Sequence, residues 1–163
     1  MPNAQYPLPN TQSQMPFKIE KNIQFKDIRF KYDGHWILNN LTLEFEKGKK
    51  YAVVGSSGCG KSTIINLINR FYEPQDGEIL VDDNALKSFN MYDLRRRIAL
   101  VTQDNQLFHE SIWENIRYGD FESTEEKINE VAKLVDIYDH AISLKEGFDS
   151  KIGDKGTKIS GGQ

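Results

Sequence analysis

A glycine-rich stretch that ends in a lysine and a hydroxyl residue carries the strongest chemical signal in this chain. It consists of Gly55, Ser56, Ser57, Gly58, Cys59, Gly60, Lys61, Ser62 and Thr63. Glycines let backbone N–H groups turn towards an anion, and a helix that starts at the end of the stretch adds its positive N-terminal end. The pattern G-x-x-x-x-G-K-[ST] is that of a P-loop, in which the lysine reaches the β- and γ-phosphates and the hydroxyl binds Mg²⁺. We therefore predict that these nine residues bind a nucleotide, that Lys61 is a catalytic residue in contact with its phosphates and that Ser62 is a metal ligand.

The segments on either side of this stretch fit a phosphate site. Residues 51–54 form an apolar run that predicts a buried strand, and residues 64–68 are the apolar part of a predicted helix. Further upstream, apolar residues alternate from Ile23 to Tyr32 with one break in phase, which predicts a strand with a bulge. Residues 41–45 alternate without a break, and we expect this strand to pair with the first in an antiparallel sense.

The chain after residue 72 is predicted to return to the sheet twice. Residues 73–77 indicate a turn before a strand at residues 79–81. A helix at residues 91–97 then leads to a second buried strand at residues 98–101. Strands that alternate with helices predict a layered α/β fold.

The C-terminal third of the chain is predicted to be helical. Ser123 and Glu126 form a capping box at the start of one helix. The predicted apolar face of this helix consists of Ile128, Val131, Leu134 and Val135.

Composition predicts a soluble globular domain behind an extended tail. Of the 163 residues, 28% are charged and 38% are hydrophobic, and no apolar run approaches the roughly 18 residues of a membrane helix. The net charge of -3 argues against a nucleic-acid partner, because binding a phosphate backbone requires a basic face. Cys59 is the only cysteine, which suits a reducing compartment. Four of the five prolines lie in the first 16 residues, so residues 1–21 are predicted to be a linker or tail and residues 22–163 one domain, with order beginning near Ile23.

Two further motifs resemble those of the nucleotide-binding domain of ABC transporters. Phe30-Lys31-Tyr32 resembles the aromatic loop of that family, which implies that Tyr32 stacks on adenine. The alternative interpretation of Tyr32 is a core aromatic at a strand end. Val101-Thr102-Gln103, followed by residues 111–116, resembles the Q-loop. The resemblance implies that Gln103 is a catalytic residue and, with Ser62, a metal ligand.

The last residues resemble motifs of exporter-type ABC proteins. Residues 153–156 resemble the X-loop, and Ser160, Gly161, Gly162 and Gln163, preceded by Ile159, resemble the signature motif that binds the ATP of the opposite subunit. The resemblance spans residues 22–163 and implies ATP and Mg²⁺ as cofactors. It also implies two partners, the transmembrane domain of an ABC exporter and a second nucleotide-binding domain in a head-to-tail dimer. The implied location is cytoplasmic, at the inner face of a membrane.

Two departures from the family pattern bear on the mechanism. Asp83 and Asn84 follow Asp82 where the family has a glycine, so one of the two is expected to take a left-handed turn conformation. An alternative interpretation takes Asp82 and Asp83 as the acidic pair of a Walker B motif, but their place before the Q-loop favours an antiparallel subdomain. The sequence given stops at Gln163, before the family's Walker B strand and switch histidine. We therefore expect ATP binding without appreciable hydrolysis, a frayed signature motif and exposed apolar surface on an incomplete sheet.

The predicted fold is a partial P-loop NTPase core of the α/β class, with an N-terminal antiparallel β subdomain and a C-terminal helical subdomain. The predicted function is that of the ATP-binding portion of an ABC exporter ATPase domain. In the full-length protein this domain would couple ATP binding and hydrolysis to transmembrane transport. Two alternatives are a nucleotide-sensing module that does not hydrolyse ATP and a self-contained P-loop enzyme of the kinase type.

Overall fold

The computed structural model describes residues 15–102 and 107–152 of the chain. Backbone contacts divide the chain into two compact units, residues 1–100 and residues 101–163. Among the described residues, all strands belong to the first unit, and the second unit is helical. The predicted α/β class, with an antiparallel sheet before a helical part, is therefore confirmed.

A four-stranded antiparallel sheet organises the first unit. Its strands are β1 (Asn22–Phe30), β2 (Leu38–Glu46), β3 (Asp76–Val81) and β4 (Asn84–Ala85), in the spatial order β2-β1-β3-β4. The register of β1 against β2 shifts between Phe25 and Ile28, where Asp27 has a φ of 51°. The predicted antiparallel pair and the predicted bulge are both confirmed.

A tight turn at Asp82 and Asp83 joins β3 to β4. Both residues have positive φ, 50° and 66°, as a two-residue hairpin turn requires. The left-handed conformation predicted for Asp83 or Asn84 is thus found at Asp83, with Asp82 adopting it as well. Aspartate tolerates this conformation better than most residues, which explains how the turn forms without glycine.

The carboxylate of Asp82 attaches this turn to the chain in front of β1. It accepts hydrogen bonds from the backbone N–H groups of Glu20, Lys21 and Asn22 at 2.6, 2.7 and 3.0 Å. Partial burial raises the pKa of Asp82, but the three N–H donors outweigh burial and hold the pKa below its ordinary value. This engagement gives Asp82 a structural role and disfavours the alternative acidic metal pair with Asp83.

Two helices pack on the sheet of the first unit, α1 (Lys61–Ile68) and α2 (Met91–Arg96). Both were predicted at these places. Ile64 and Leu67 of α1 and Leu94 of α2 belong to one buried cluster with residues of the strands. The Arg95 guanidinium reaches the end of α1, where it donates to the carbonyl oxygens of residues 69 and 70 at 3.3 and 3.1 Å. It thereby satisfies carbonyl groups that have no partner within the helix.

The chain in front of β1 contributes to the same core. Phe17 is only 2% exposed, and its ring meets that of Phe89 edge-on at 5.5 Å. The prediction that order begins near Ile23 is therefore wrong, because the proline-rich composition of this region conceals one core aromatic. The division into a tail of residues 1–21 and a domain of residues 22–163 stays a prediction.

Two of the predicted strands are not strands in the structure. Residues 51–54 and residues 98–101 have no β-pairing, and Val54 and Val101 are 87% and 84% exposed. A buried parallel strand needs hydrogen-bonded neighbours in a sheet, and no strand of the described residues pairs with either segment. An apolar run does not by itself provide a neighbouring strand. The predictions of strands at residues 51–54 and 98–101 are therefore wrong for this structure. The expected exposure of apolar surface is confirmed at the two valines.

The described part of the second unit contains three α-helices, α3 (Ile112–Arg117), α4 (Glu125–Leu134) and α5 (Tyr138–Ser143), followed by a short 3-10 helix at Gly147–Asp149. The predicted helical character of this region is confirmed. The N-cap of α4 is Thr124, whose hydroxyl accepts a hydrogen bond from the N–H of Lys127 at 3.4 Å. The predicted cap at Ser123 is therefore wrong by one residue, since Thr124 offers the same hydroxyl one position later.

The buried face of α4 is narrower than predicted. Ile128 and Ala132, one turn apart, are its buried side chains. The other predicted members of the face, Val131, Leu134 and Val135, are 40%, 82% and 64% exposed. Apolar periodicity identified the helix, but it could not show which flank of the apolar stripe would be covered.

Candidate functional site

The side chain of Lys61 closes the glycine-rich loop that leads into α1. Its ammonium group donates to the carbonyl oxygens of Gly55 and Ser56 at 3.0 and 2.7 Å, and it lies 3.8 Å from the sulfur of Cys59. The positive charge is therefore held against the loop itself. A phosphate oxygen would be a stronger acceptor for this ammonium than either carbonyl, because it carries a charge.

Gly60 sets the direction in which the chain enters α1. Its φ of 96° lies in the left-handed region, and a Cβ at this position would lie 2.7 Å from Cδ2 of Leu38 and 3.2 Å from Cγ2 of Ile37. The start of β2 thus approaches the loop so closely that a Cβ would have to displace the Leu38 side chain, and the positive φ adds backbone strain for any residue other than glycine.

Several backbone N–H groups at this turn make no hydrogen bond within the protein. In residues 15–102 and 107–152, the N–H groups of Gly58, Gly60, Lys61 and Ser62 have no protein acceptor. The first N–H groups of a helix have no partner within it and carry the positive end of the helix dipole. Together with the Lys61 ammonium, they suit an anion with several oxygens, such as a chain of phosphates.

Ser62 is an exposed residue in the first turn of α1. Among the described residues, no cluster of three or more His, Cys, Asp or Glu side chains could hold a metal ion. Mg²⁺ commonly takes only one or two protein ligands and completes its shell with substrate phosphates and water. A single hard oxygen at the Ser62 position therefore fits Mg²⁺ that arrives with a nucleotide.

Tyr32 lies just beyond β1 and is attached to α1. Its phenolic oxygen accepts a hydrogen bond from the Asn66 side-chain amide at 3.0 Å and lies 3.4 Å from the Thr63 hydroxyl. Its ring meets the rings of Phe30 and Tyr72 edge-on, each at 4.9 Å between centroids. Tyr32 nevertheless remains 41% exposed. The Tyr32 ring is therefore fixed to α1, the helix that follows the glycine-rich loop, and part of the ring surface stays exposed.

The structure brings together the N-terminal part of the predicted site and leaves the rest undescribed. Tyr32, the loop and Lys61 all belong to the first unit. The predicted nucleotide ligand Thr63 is 4% exposed, and its hydroxyl is beside that of Tyr32. The predicted residues Gln103, Ser160, Gly161, Gly162 and Gln163 lie outside the described residues, so their roles stay predictions.

Sequence reasoning missed three residues that hold Tyr32, namely Asn66, Tyr72 and Gln75. They do not belong to the P-loop pattern. Asn66 and Tyr72 contact Tyr32 itself, and Gln75 contacts the Lys31 backbone in front of it, so all three contacts are tertiary. The one available signal is that Asn66 lies a helical turn after Ser62, as a polar residue within an otherwise apolar run.

Comparisons with known proteins identify relatives of this chain. The sequence model of the family described as ABC transporter matches residues 38–163. The mitochondrial iron-sulfur clusters transporter atm1 of Neurospora crassa is 44% identical over 142 residues, which cover 86% of this chain and 20% of that protein. The heterocyst differentiation ATP-binding protein HepA of Nostoc sp. is 43% identical over 146 residues, which cover 89% of this chain and 24% of that protein.

A solved structure agrees with these sequence matches. It is described as a bacterial Atm1-family ABC exporter with ATP bound, and it matches with a TM-score of 0.85 and 35% identity over 95% of this chain and 27% of its own. This chain therefore spans only about a fifth to a quarter of the length of these relatives. In the part that the structure describes, no helix has the length and apolar character needed to cross a membrane. The family match, the fold and the phosphate loop agree, and the chain belongs to the ABC transporter family as part of its nucleotide-binding domain.

Proposed function

We propose that this chain binds Mg-ATP through the loop at residues 55–63, with Lys61 on the β- and γ-phosphates. The observation that carries the proposal is the Lys61 ammonium, held by the carbonyls of Gly55 and Ser56 beside N–H groups that have no protein acceptor. On binding, Lys61 exchanges two neutral acceptors for charged phosphate oxygens, and these charge-assisted bonds favour the bound state. Family membership supports ATP as the nucleotide.

The other predicted residues take complementary roles in this proposal. The free N–H groups of Gly58 and Gly60 bind phosphate oxygens, and the exposed ring surface of Tyr32 stacks on adenine. The Ser62 hydroxyl holds Mg²⁺, together with Gln103. Mg²⁺, when bound, neutralises charge on the β- and γ-phosphates.

Titration calorimetry of the 163-residue chain with Mg-ATP tests this proposal. We expect saturable binding, weakened about tenfold or more in Lys61→Ala because a charge-assisted contact is lost. Lys50→Ala is the matched control, since Lys50 is exposed and its side chain makes no hydrogen bond or ion pair in the described part of the chain. Absence of Mg-ATP binding by the folded wild-type chain, or equal affinities of the two variants, would contradict the proposal.

We propose further that the parent protein is an ATP-driven exporter. In it, residues 160–163 would bind the ATP of a second nucleotide-binding domain in a head-to-tail dimer, and a transmembrane domain would hold the chain at the cytoplasmic face of a membrane. The names of the relatives support export, since they include an iron-sulfur clusters transporter and an Atm1-family ABC exporter. We propose no cargo, because the names of the relatives do not share one: HepA is named for heterocyst differentiation and not for a transported substance. Fractionation of cells that express the parent protein should recover this segment with membranes, and recovery in the soluble fraction would contradict the proposal.

A further inference from the structure

The segment that follows the glycine-rich loop supplies three side chains that hold Tyr32 or the backbone in front of it. Asn66 lies within α1, whereas Tyr72 and Gln75 lie in the turn between α1 and β3. Each of the three contacts either Tyr32 or the residue in front of it. The same stretch of chain that begins at the phosphate loop therefore also determines where the Tyr32 ring is placed.

Gln75 fixes the backbone immediately before Tyr32. Its side-chain oxygen accepts the N–H of Lys31 at 3.0 Å, and its side-chain nitrogen donates to the carbonyl of Lys31 at 3.1 Å. The backbone N–H of Gln75 donates to the carbonyl of Arg29 at 3.1 Å. These bonds continue the pairing of β1 beyond its last residue, with a side-chain amide in the place of a strand. The Lys31 backbone is thus fixed where a loop would otherwise begin.

Asn66 and Tyr72 fix the Tyr32 side chain itself. The Asn66 amide donates to the phenolic oxygen at 3.0 Å. The Tyr72 ring meets the Tyr32 ring edge-on at 4.9 Å, with an angle of 83° between the ring planes. A tyrosine side chain in a loop ordinarily samples several rotamers. These contacts restrict the rotamers of Tyr32 independently of any ligand.

We propose that Asn66, Tyr72 and Gln75 are positioning residues that hold the Tyr32 ring at a set place relative to α1, so that recognition of the base depends on them while recognition of the phosphates does not. This inference rests on the proposed function, in which Tyr32 stacks on adenine. Ordering the ring in advance lowers the entropy cost of stacking and leaves the phosphate contacts of Lys61 unaffected.

Calorimetry with two ligands, Mg-ATP and inorganic Mg-triphosphate, separates base recognition from phosphate recognition. We expect Asn66→Ala to weaken Mg-ATP binding about threefold to tenfold, as suits the loss of one hydrogen bond, and to leave Mg-triphosphate binding within about twofold of wild type. Gln75→Ala should behave in the same way. Asn129→Ala is the matched control in the interior of α4, where its half-buried side chain makes no hydrogen bond with the described residues, and it should change neither affinity.

A double-mutant cycle tests whether Asn66 acts through the phenolic oxygen. Tyr32→Phe keeps the ring but removes the oxygen that Asn66 contacts, so Asn66→Ala should have little further effect in the Tyr32→Phe background. Additive effects of the two substitutions would overturn the proposed route. Circular dichroism establishes that each variant is folded, and Gln75→Ala carries the two-ligand test if Asn66→Ala is not.

The outcomes separate this inference from the proposed function. If the wild-type chain binds both ligands and the positioning variants weaken both equally, or weaken neither, the inference is overturned and the proposed function stands. If the folded wild-type chain binds neither ligand, the proposed function fails, and the inference fails with it.

Discussion

The Lys61 ammonium donates to the carbonyls of Gly55 and Ser56, so its positive charge lies against the glycine-rich loop. In the proposed complex, phosphate oxygens replace these carbonyls and the loop N–H groups bind alongside. The direction of those N–H groups depends on Gly60, where the positive φ and the close contact with Leu38 disfavour any side chain.

At the residue scale, Gly60→Ala should destabilise the protein and weaken Mg-ATP binding. The positive φ and the contact with Leu38 together are expected to lower the free energy of unfolding by about 2–4 kcal/mol, as measured by urea denaturation. Gly34→Ala is the matched control, because Gly34 also has a positive φ of 63° but has no atom within 4 Å of a Cβ. Its cost should be about 1 kcal/mol, from the backbone alone. Equal costs at the two positions would refute the steric argument.

At the scale of elements, the Asp82 carboxylate connects the hairpin between β3 and β4 to the chain in front of β1. Three N–H groups in a row, from residues 20–22, point at one carboxylate. This connection fixes where β1 begins, and β1 ends just before Tyr32. The Asp82 carboxylate therefore holds the start of β1, and the Gln75 amide holds the chain just after its end. The bulge at Asp27 lies between these two points.

The hydrogen bonds of Asp82 predict an acid-dependent loss of stability. Its pKa in the folded state lies below the ordinary value of 3.8, so its stabilising contribution is present above pH 3.8 and is lost as the pH falls through the lower, folded-state pKa. Asp82→Asn should lower the free energy of unfolding by about 1–2 kcal/mol at pH 7. The difference between wild type and variant should shrink on acidification below pH 3.8, as measured by urea denaturation across pH.

Asp83→Asn is the control for this prediction. Asp83 shares the turn and the positive φ of Asp82, but its carboxylate is exposed and makes only a 4.0 Å ion pair with Lys21. Asparagine tolerates the turn conformation, so Asp83→Asn should change the free energy of unfolding little, both at pH 7 and below pH 3.8. A pH-independent difference for Asp82→Asn, or an equal effect of Asp83→Asn, would contradict the role assigned to Asp82.

The same scale shows which elements could be predicted from the sequence. The strands β1 and β2 and the helix α1 form as predicted. Their apolar residues pack against one another, and the two strands pair with each other. Residues 51–54 and residues 98–101 have equally apolar patterns, but they lack paired neighbours among the described strands. A local apolar pattern predicts that a segment is buried. A β-strand also needs a neighbouring strand to pair with, and the local pattern does not identify that neighbour.

At the scale of the whole molecule, both candidate ligand-binding features belong to the first unit. The glycine-rich loop could be proposed as a phosphate site from the sequence, because its residues are contiguous and their spacing is tied to that chemistry. The support of Tyr32 by Asn66, Tyr72 and Gln75 could not, since it depends on how α1 and the turn before β3 fold back beside the end of β1. With a net charge of -3, the molecule offers no general attraction for an anion. Attraction must therefore come locally, from Lys61 and the start of α1.

The most direct measurement of this local attraction is the response of individual backbone amides to Mg-ATP. In a ¹⁵N-labelled sample followed by NMR, we predict that the amide resonances of Gly58, Gly60 and Lys61 shift together and saturate at one concentration, while those of Gly34 and Gly48 stay in place. Saturable binding that leaves the three loop amides unshifted would contradict the assignment of this loop as the phosphate site.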